Sequence, residues 1–534
     1  MQKRQVIFED ELYSSLKKGV NTLADAVKTT MGPKGKLVLI QRDQYHPTVT
    51  KDGVTVAKSI NLENELENMA VKVLKEAASR TADEAGDGTT TSTVLAQSIF
   101  NEGLRMKSAG YQVDLLKVGI EKAVDIVQAT LDNQSKKITD DQELRQVAMI
   151  SANGEKEVSD LIVDAINASG VNGSVIVEEA KGFNSSLTTV DGYRLERGYL
   201  SPYFVTNKEK MTCEFNNPFI LMADRSFSSI RNLMKILELS LESSRPIVIL
   251  ANEIEGDAMQ GLVLNKTKGS LQVCGMKSPG FGASRHDLML DLQAVVGGTI
   301  LDSTFDLNEF KIEDFGTAKK MIISRSSSMI IANNKENTEI NKRIDSIKER
   351  AEEPGVADAE RELLAYRLQQ LSGGISILRI GASTESELIE RYDRVDDALH
   401  ATRAALEEGI LPGGGIALVR CQENVLKAIK KEDNEDIRSG MMIVSKSIVE
   451  PFKQIIRNGK NSPDALLKEV MSKKTNVGYD ARLEKFGDMF KIGILDPHKV
   501  VRCALENAAS AASMLLSVGC CLIDIENETN LEDN

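Results

Sequence analysis

The densest run of chemically capable residues is Gly86-Asp87-Gly88-Thr89-Thr90-Thr91. Glycines let a backbone approach a phosphate closely, the first N–H groups and positive end of a helix favour an anion, and threonine hydroxyls add donors. The segment reads as a phosphate cradle opening a helix, although a plain capped helix after a turn would use the same residue types. Asp87, between the glycines, suits Mg²⁺, a hard cation that takes carboxylate, water and phosphate oxygens. Thr30-Met31-Gly32-Pro33-Lys34-Gly35-Lys36 has a similar logic, with hydroxyl and basic groups beside a tight glycine turn. Gly-x4-Gly-Lys-Ser/Thr is absent, which excludes a P-loop ATPase. The middle of the chain lacks Gly-x-Gly-x-x-Gly after its strands, which argues against a dinucleotide enzyme. Asp52, in Thr50-Lys51-Asp52-Gly53, and Asp397, in Val395-Asp396-Asp397-Ala398-Leu399-His400, are candidates for orienting a water toward a γ-phosphate. Phosphoryl transfer needs mainly positioning and charge neutralisation, so two carboxylates and a metal suffice. Taken singly, each Asp reads first as a solvated surface charge.

These residues need elements to position them. Leu12, Leu16, Val20, Leu23 and Val27 form one helical stripe that stops at Gly32-Pro33, and Leu37 to Ile40 reads as a short strand. A second stripe, Leu62, Leu66, Met69, Val73 and Ala77, runs into Gly86. From about 170 to 380 the texture changes to short apolar runs between helical segments: Phe219 to Ala223, Pro246 to Ala251, Leu271 to Met276, Thr299 to Leu301 and Ile375 to Ile380. That alternation predicts helices on a largely parallel sheet. Residues 340–371 fold back as a helical hairpin around Pro354-Gly355, and the last 120 or so residues are helix-rich. The polar stretch from Asp524 to Asn534 is expected to fray.

Two helical segments carry more apolar residues than one buried stripe requires. One holds Ile230, Leu233, Met234, Ile236, Leu237, Leu239 and Leu241; the other holds Ile254, Met259, Leu262, Val263 and Leu264. Either both are fully buried, or one face is displayed for binding, with Met lending adaptability.

The chain has 534 residues, 41% hydrophobic and 27% charged, which suits several globular domains. Lys plus Arg number 66 against 79 Asp plus Glu, for a net charge of −13, with no Trp and 4% aromatics. Neither a phosphate-attracting excess nor base-stacking platforms are supplied, so nucleic-acid binding is not expected. No secretory or membrane-spanning stretch is present, and a cytoplasmic protein is expected. The six cysteines lack Cys-x-x-Cys spacing and read as reduced thiols, mostly buried. The four histidines show no i, i+4 pair, which argues against zinc.

Together the motifs closely resemble the group I chaperonins, the GroEL family, nearly from end to end. The segments that carry the likeness are Gly32-Pro33-Lys34-Gly35, Thr50 to Val54, Gly86 to Thr91, Arg197 to Phe204, Pro279-Gly280-Phe281-Gly282, Asp397 to Ala405 and Gly413-Gly414-Gly415. The resemblance implies a multi-domain α and α/β fold in discontinuous pieces. These are a mostly helical equatorial ATPase domain (1–135 and 409–534), a small α/β intermediate domain (136–190 and 375–408) and an α/β apical domain (191–374). By the same likeness, Thr30, Met31, Gly32, Pro33, Lys51, Asp87, Gly88, Thr89, Thr90, Thr91, Gly414, Asp480, Ala481, Arg482 and Asp496 surround ATP. Asp87 holds Mg²⁺, K⁺ lies near Thr30, Lys51 and Thr90, and Asp52 with Asp397 positions the attacking water. Tyr199, Tyr203, Phe204, Met234, Leu237, Met259, Val263 and Leu264 form the apical surface for non-native polypeptides, which tips the choice between burial and display toward display. Gly192 and Gly374 fall at the apical hinge, and Arg197 with Glu385 resembles an inter-subunit pair.

The likeness further implies an ATP-driven folding chamber, a homo-oligomeric ring of seven subunits, with a co-chaperonin lid as a further partner. It would sit in the cytoplasm of a bacterium or, if virus-encoded, of an infected host. A ring-forming holdase with little ATP turnover is the alternative, and intact Asp52, Asp87 and Asp397 argue against it. The chain also departs from the family pattern. The Gly-Gly-Met-rich tail is replaced by the acidic stretch, and Asp480 and Arg482 stand where the family has Asn and Ala beside the adenine. At the contact between back-to-back rings, Lys453 and Ser462 replace an Arg and a Glu that usually pair, while Arg105 and Glu435 keep charges suited to the other contact. One polar link is lost, which predicts weaker ring stacking.

Overall fold

The computed structural model describes residues 4–42, 45–152, 154–169, 174–180, 182–208, 210–280, 282–333, 338–352, 358–372 and 374–524. The chain separates into two compact units, one spanning Met1–Val163, Glu179–Asn184 and Ile380–Asn534, the other Asp164–Glu178 and Ser185–Arg379.

The first unit is a helical body. The stripe expected from Leu12 to Val27 is the buried face of the helix Glu9–Val27, which packs on Glu65–Ala85. Gly19 makes that approach possible, since a Cβ there would lie 2.1 Å from the Glu67 carbonyl oxygen. A second close crossing joins Val113–Gln134 to Glu435–Ser447, where a Cβ on Gly119 would meet the Ile437 carbonyl at 2.2 Å. His498–Leu516 buries Ala504, Ala508, Ala511 and Ala512, small enough to let Thr89–Ser108 and Glu65–Ala85 pack against it. Its first residue, His498, is buried with Nδ1 2.8 Å from Glu408. The strand Arg4–Phe8 pairs antiparallel with Cys520–Asp524, Arg4 opposite Asp524 and Phe8 opposite Cys520. Asp524 is thus in a strand, and the rest of the polar tail expected to fray lies outside the described residues.

The second unit holds two sheets. Phe219–Ala223, Ile247–Ala251, Val273–Lys277 and Ile300–Leu301 form the parallel sheet that the apolar runs predict, and the first two strands are buried at every residue. Ile375–Ile380 is a correction. It belongs to a six-stranded sheet with Ser174–Glu179, Ser186–Leu195, Ser328–Ile331, Lys320–Ile323 and Cys213–Asn216. There Gly374–Ile380 runs antiparallel to Ser186–Leu195, with Gly374 opposite Asp191 and Arg379 opposite Ser186. A short apolar run reports burial on both faces and is silent on the direction of its partner. Gly192 and Gly374 both lie in these paired strands; the Glu385 side chain lies outside the described residues.

The hairpin expected over 340–371 is the helix pair Thr338–Glu352 and Asp358–Ser372, packed on Ala283–Val296. Asp291, fully buried, takes Arg343 Nε at 2.7 Å, Arg367 Nε at 2.7 Å and Arg367 Nη2 at 3.0 Å, joining the three helices. All six cysteines are free, and Cys213, Cys274, Cys421 and Cys503 are buried. Among the described residues no helix is long and apolar enough to cross a membrane.

Candidate functional site

The site is built where helix ends of the first unit meet. Glu65–Ala85 stops at Gly86, which is left-handed with φ 73°. A Cβ on Gly86 would also lie 2.0 Å from the Cβ of His400, so only glycine lets the helix Glu385–Glu408 come this close. Two residues on, Gly88 (φ 90°) opens Thr89–Ser108 with no side-chain cap, leaving the first-turn N–H groups to an outside partner. Thr89 Oγ1 and Ser92 Oγ are buried there without a hydrogen-bond partner. Orphaned hydroxyls beside an uncapped helix start are what a phosphate would satisfy.

A second helix start faces the first. Asp52 caps Gly53–Ser59, its Oδ1 accepting from Val54 N at 2.9 Å and its Oδ2 from Thr55 N at 2.7 Å, which fixes the carboxylate plane. A Cβ on Gly53 would lie 2.2 Å from Thr90 Oγ1, so the two starts touch. A third start, that of Ile416–Ile429, comes after Gly413-Gly414-Gly415, with φ 66° at Gly414 and 77° at Gly415 and again no side-chain cap. The N–H groups of Gly414 and Gly415 at this start favour the charged form of Asp496.

The carboxylates sense one another. Asp397, half-buried on Glu385–Glu408, is pushed well up first by desolvation and then by the charges of Asp87 and Asp52. Asp87 is likewise raised by burial, with Asp52 adding to it, although the Gly88 N–H and His400 pull the other way. Asp496 is pushed up to about 7 by burial and by Asp87, against the two glycine N–H groups. Four aspartates therefore share one neighbourhood that favours a compensating cation. Among the described residues no three His, Cys, Asp or Glu side chains converge as a metal cage. Mg²⁺ needs only one or two carboxylates, with phosphates and water completing its shell.

Lys51, Arg394 and Arg482 lie within electrostatic reach of one another beside this floor, with Glu390 among them. The ammonium of Lys51 is held below its ordinary pKa by burial, then by Arg394 and Arg482. Arg394 bonds Glu155 and Glu390. Asp480, Ala481 and Arg482 occupy the turn between Val477–Asp480 and Lys485–Asp488, where Asp480 Oδ1 accepts from Arg482 N at 2.8 Å and Leu483 N at 3.1 Å. The 28–36 turn is clamped from Glu450–Asn458, with Asn458 Nδ2 2.9 Å from both the Lys28 and Met31 carbonyls. In it Thr30 is buried and donates to Val27 O at 2.9 Å, and Gly32 (φ 80°) packs by Ile455 ahead of Pro33.

Arg394 and Glu155 carry no signal that sequence reading picked up. The usable clue is that Arg394 lies three residues before Asp397, on the same helix face, with Glu390 a turn earlier.

A carboxyl raised on folding binds more protons folded than unfolded, so its contribution is complete below the ordinary value of 3.8 and lost as the pH rises through about 7. The melting temperature of the nucleotide-free protein is expected to fall between pH 5.5 and 8 on this account, and to fall less in Asp496→Asn. Equal slopes for the two proteins in a thermal-shift titration would refute the assignment.

The expected apical surface divides. Tyr203, Met234 and Leu264 are exposed at 71%, 51% and 53%, and Met259 and Val263 are partly buried against the core. Tyr199, Phe204 and Leu237 are corrections: all three are buried. Phe204 closes the Pro202–Phe204 turn and lies under Gly275, whose added Cβ would be 3.5 Å from its ring. Tyr199 is bridged to Met276, and Leu237, one turn after Met234, points inward beside Ile236. Phe204→Ala is expected to cost about 3–5 kcal/mol in urea unfolding of this unit. Tyr203→Ser should leave stability within about 0.5 kcal/mol; similar losses for both would contradict the division.

The sequence model of the TCP-1/cpn60 chaperonin family matches residues 23–525. The chain belongs to that family, and its role is that of a chaperone. Among solved structures it is similar to the chaperonin gp146 from the bacteriophage EL 2 (Pseudomonas aeruginosa), crystallised in presence of ATP-BeFx. With crystal form II the TM-score is 0.72 at 23% identity, covering 97% of this chain and 99% of that one. With crystal form I it is 0.64 at 22% identity, with the same coverage. The likeness is one of fold.

Proposed function

We propose that this chaperonin hydrolyses ATP and uses the cycle to capture and release non-native polypeptides from a homo-oligomeric ring. The observation that carries the reading is Asp397 brought within electrostatic reach of Asp52 and Asp87 at the uncapped start of Thr89–Ser108. The helix N–H groups and threonine hydroxyls bind phosphate, Asp87 holds Mg²⁺, and Asp52 and Asp397 orient the water. Mg²⁺, when bound, neutralises charge on the phosphates. Thr30, Lys51 and Thr90 are the positions for K⁺. Met31, Gly32, Pro33, Gly414, Asp480, Ala481, Arg482 and Asp496 complete the nucleotide site.

In this reading the helix Glu385–Glu408 belongs to an intermediate domain (136–190 and 375–408) that couples hydrolysis to an apical domain (191–374), the remainder being equatorial. Clients are held on Tyr203, Met234 and Leu264 with the flanks of Met259 and Val263. Each buried side chain is worth roughly 1.5–3 kcal/mol and is repeated around a ring, seven-membered by family likeness, so affinity comes from avidity. The same surface suits a co-chaperonin lid, and the cytoplasm is the expected compartment.

The test is capture of a denatured enzyme and then addition of Mg²⁺-ATP. Release of active enzyme with ATP but not with a non-cleavable analogue supports the reading. Capture without ATP-driven release makes the protein a holdase. Ring stacking is a separate prediction: Lys453 is engaged by Asp464 at 2.8 Å within the chain, so native mass measurements should show single rings populated with ATP. Stable double rings alone would contradict it.

A further inference from the structure

The helix that carries Asp397 ends in Glu407 and Glu408, two carboxylates at the negative end of its dipole, with no basic residue in its last turn. The compensation comes from the start of another helix, His498–Leu516. Lys499 Nζ lies 2.6 Å from Glu407. Arg502 reaches Glu408 through Nε at 3.1 Å and Nη2 at 2.6 Å, and His498 Nδ1 lies 2.8 Å from the same carboxylate. A carboxylate only accepts, so Nδ1 carries the hydrogen. The ring is 4% exposed, and its other nitrogen, also buried, has Asp132 Oδ1 of Val113–Gln134 2.9 Å away. Burial pushes the Glu408 carboxyl up, and Arg502 and then His498 hold it below its ordinary range.

Three helix ends meet at this ring. Glu385–Glu408 stops at Gly409, where a Cβ would lie 2.6 Å from Ser135 Oγ and 2.8 Å from the Lys136 carbonyl oxygen. Ser135, directly after Val113–Gln134, donates from Oγ to the Glu408 carbonyl at 2.9 Å, and Lys136 and Ile410 exchange backbone hydrogen bonds of 2.8 and 2.9 Å. Ile410–Pro412 then pairs with Leu495–Pro497, which leads into His498, and the His498 N–H donates to the Gly409 carbonyl at 3.0 Å. These backbone bonds hold the chain on the far side of Gly409 and leave the tilt of the preceding helix to side-chain contacts. Asp397 stands about three turns, roughly 16 Å, before Glu408, so a tilt of about 4° at that end moves it by about 1 Å. A misplacement of that size in a reacting group costs up to roughly 10²-fold in rate.

We infer that His498 is a positioning residue for hydrolysis: by donating from Nδ1 to Glu408 it holds the root of Glu385–Glu408 at the tilt that keeps Asp397 in reach of the attacking water. The inference rests on the ATP reading above and adds to it a residue that touches no nucleotide. Arg502 neutralises Glu408 from the end of a long side chain. The imidazole, with two rotatable bonds and a buried ring, fixes where that carboxylate points.

The test is steady-state ATP turnover by the assembled protein, wild type against His498→Ala, His498→Asn and His498→Gln. The amide nitrogen of Asn falls where Nδ1 stands, and that of Gln where Nε2 stands. His498→Ala is expected to lower kcat roughly 10-fold with KM for ATP unchanged. His498→Asn should recover most of that rate and His498→Gln little, because only the first places a donor at Glu408. In an Asp397→Asn background, His498→Ala should change the residual rate by less than about twofold, since it acts through Asp397. Unchanged kcat in His498→Ala overturns the inference. So do a raised KM with kcat retained, equal recovery by Asn and Gln, or an undiminished further loss in the Asp397→Asn background. If His498→Ala does not assemble, the Asn and Gln variants, which fill the same pocket, decide alone: equal kcat in the two overturns the inference. Absence of ATP turnover in wild type brings down the ATP reading itself, so the two failures are distinguishable.

Discussion

Replacing Asp397 by Asn is expected to lower Mg²⁺-dependent ATP turnover by roughly 10²–10³-fold while the variant still binds nucleotide. The side chain sits half-buried on the helix Glu385–Glu408, within electrostatic reach of Asp52 and Asp87. An amide of the same shape keeps the packing and removes the proton acceptor. It also removes a like charge from a crowded floor, so the folded variant should melt no lower than wild type at pH 8. The pairing of lost turnover with retained stability separates a chemical role from a structural one. Full turnover in the variant would overturn the assignment of Asp397, and lost turnover with a depressed melting temperature would make it structural.

The second large effect lies in the other unit and touches no nucleotide. Asp291→Ala should destabilise that unit by about 3–5 kcal/mol, because it strands the Arg367 guanidinium, 4% exposed, with its main partner gone. Asp287, which also reaches Arg343 at 3.1 Å and Arg367 at 3.3 Å, is 47% exposed, so Asp287→Ala should cost about 1 kcal/mol or less. Urea unfolding monitored on this unit measures both. Equal losses would mean that Asp291 is not the centre of the network. Tyr193 is fully buried, its hydroxyl kept neutral by burial and by the Asp291 charge, so it adds no second buried negative group beside Asp291.

The two units differ in how much of them can be read from residue order. Leu12 to Val27 is a periodic stripe whose spacing is itself the packing instruction, and Gly86-Asp87-Gly88 announces a helix start because glycine at positive φ has few other uses. Asp52 and Asp397 were legible as candidates from their local contexts. Their meeting was not, because it depends on His400 settling over a missing Cβ at Gly86. Asp291 was invisible. An Asp in mid-helix looks solvated until helices some fifty and seventy-five residues later bring arginines to it. Tyr203 and Phe204 are neighbours of similar type, and only the three-residue turn that holds them decides that one faces water and the other the core. Arg482 was legible as a departure from the family, but its approach to the backbone of Gly154 was not.

The pairing of Arg4–Phe8 with Cys520–Asp524 has a consequence for biosynthesis. The middle unit is nearly continuous in sequence and can close while the ribosome is still at work. The helical unit cannot: its strand Arg4–Phe8 waits unpaired through more than five hundred codons, on the order of half a minute or longer at ordinary elongation rates. A chaperone is itself, for that interval, an unfinished chain.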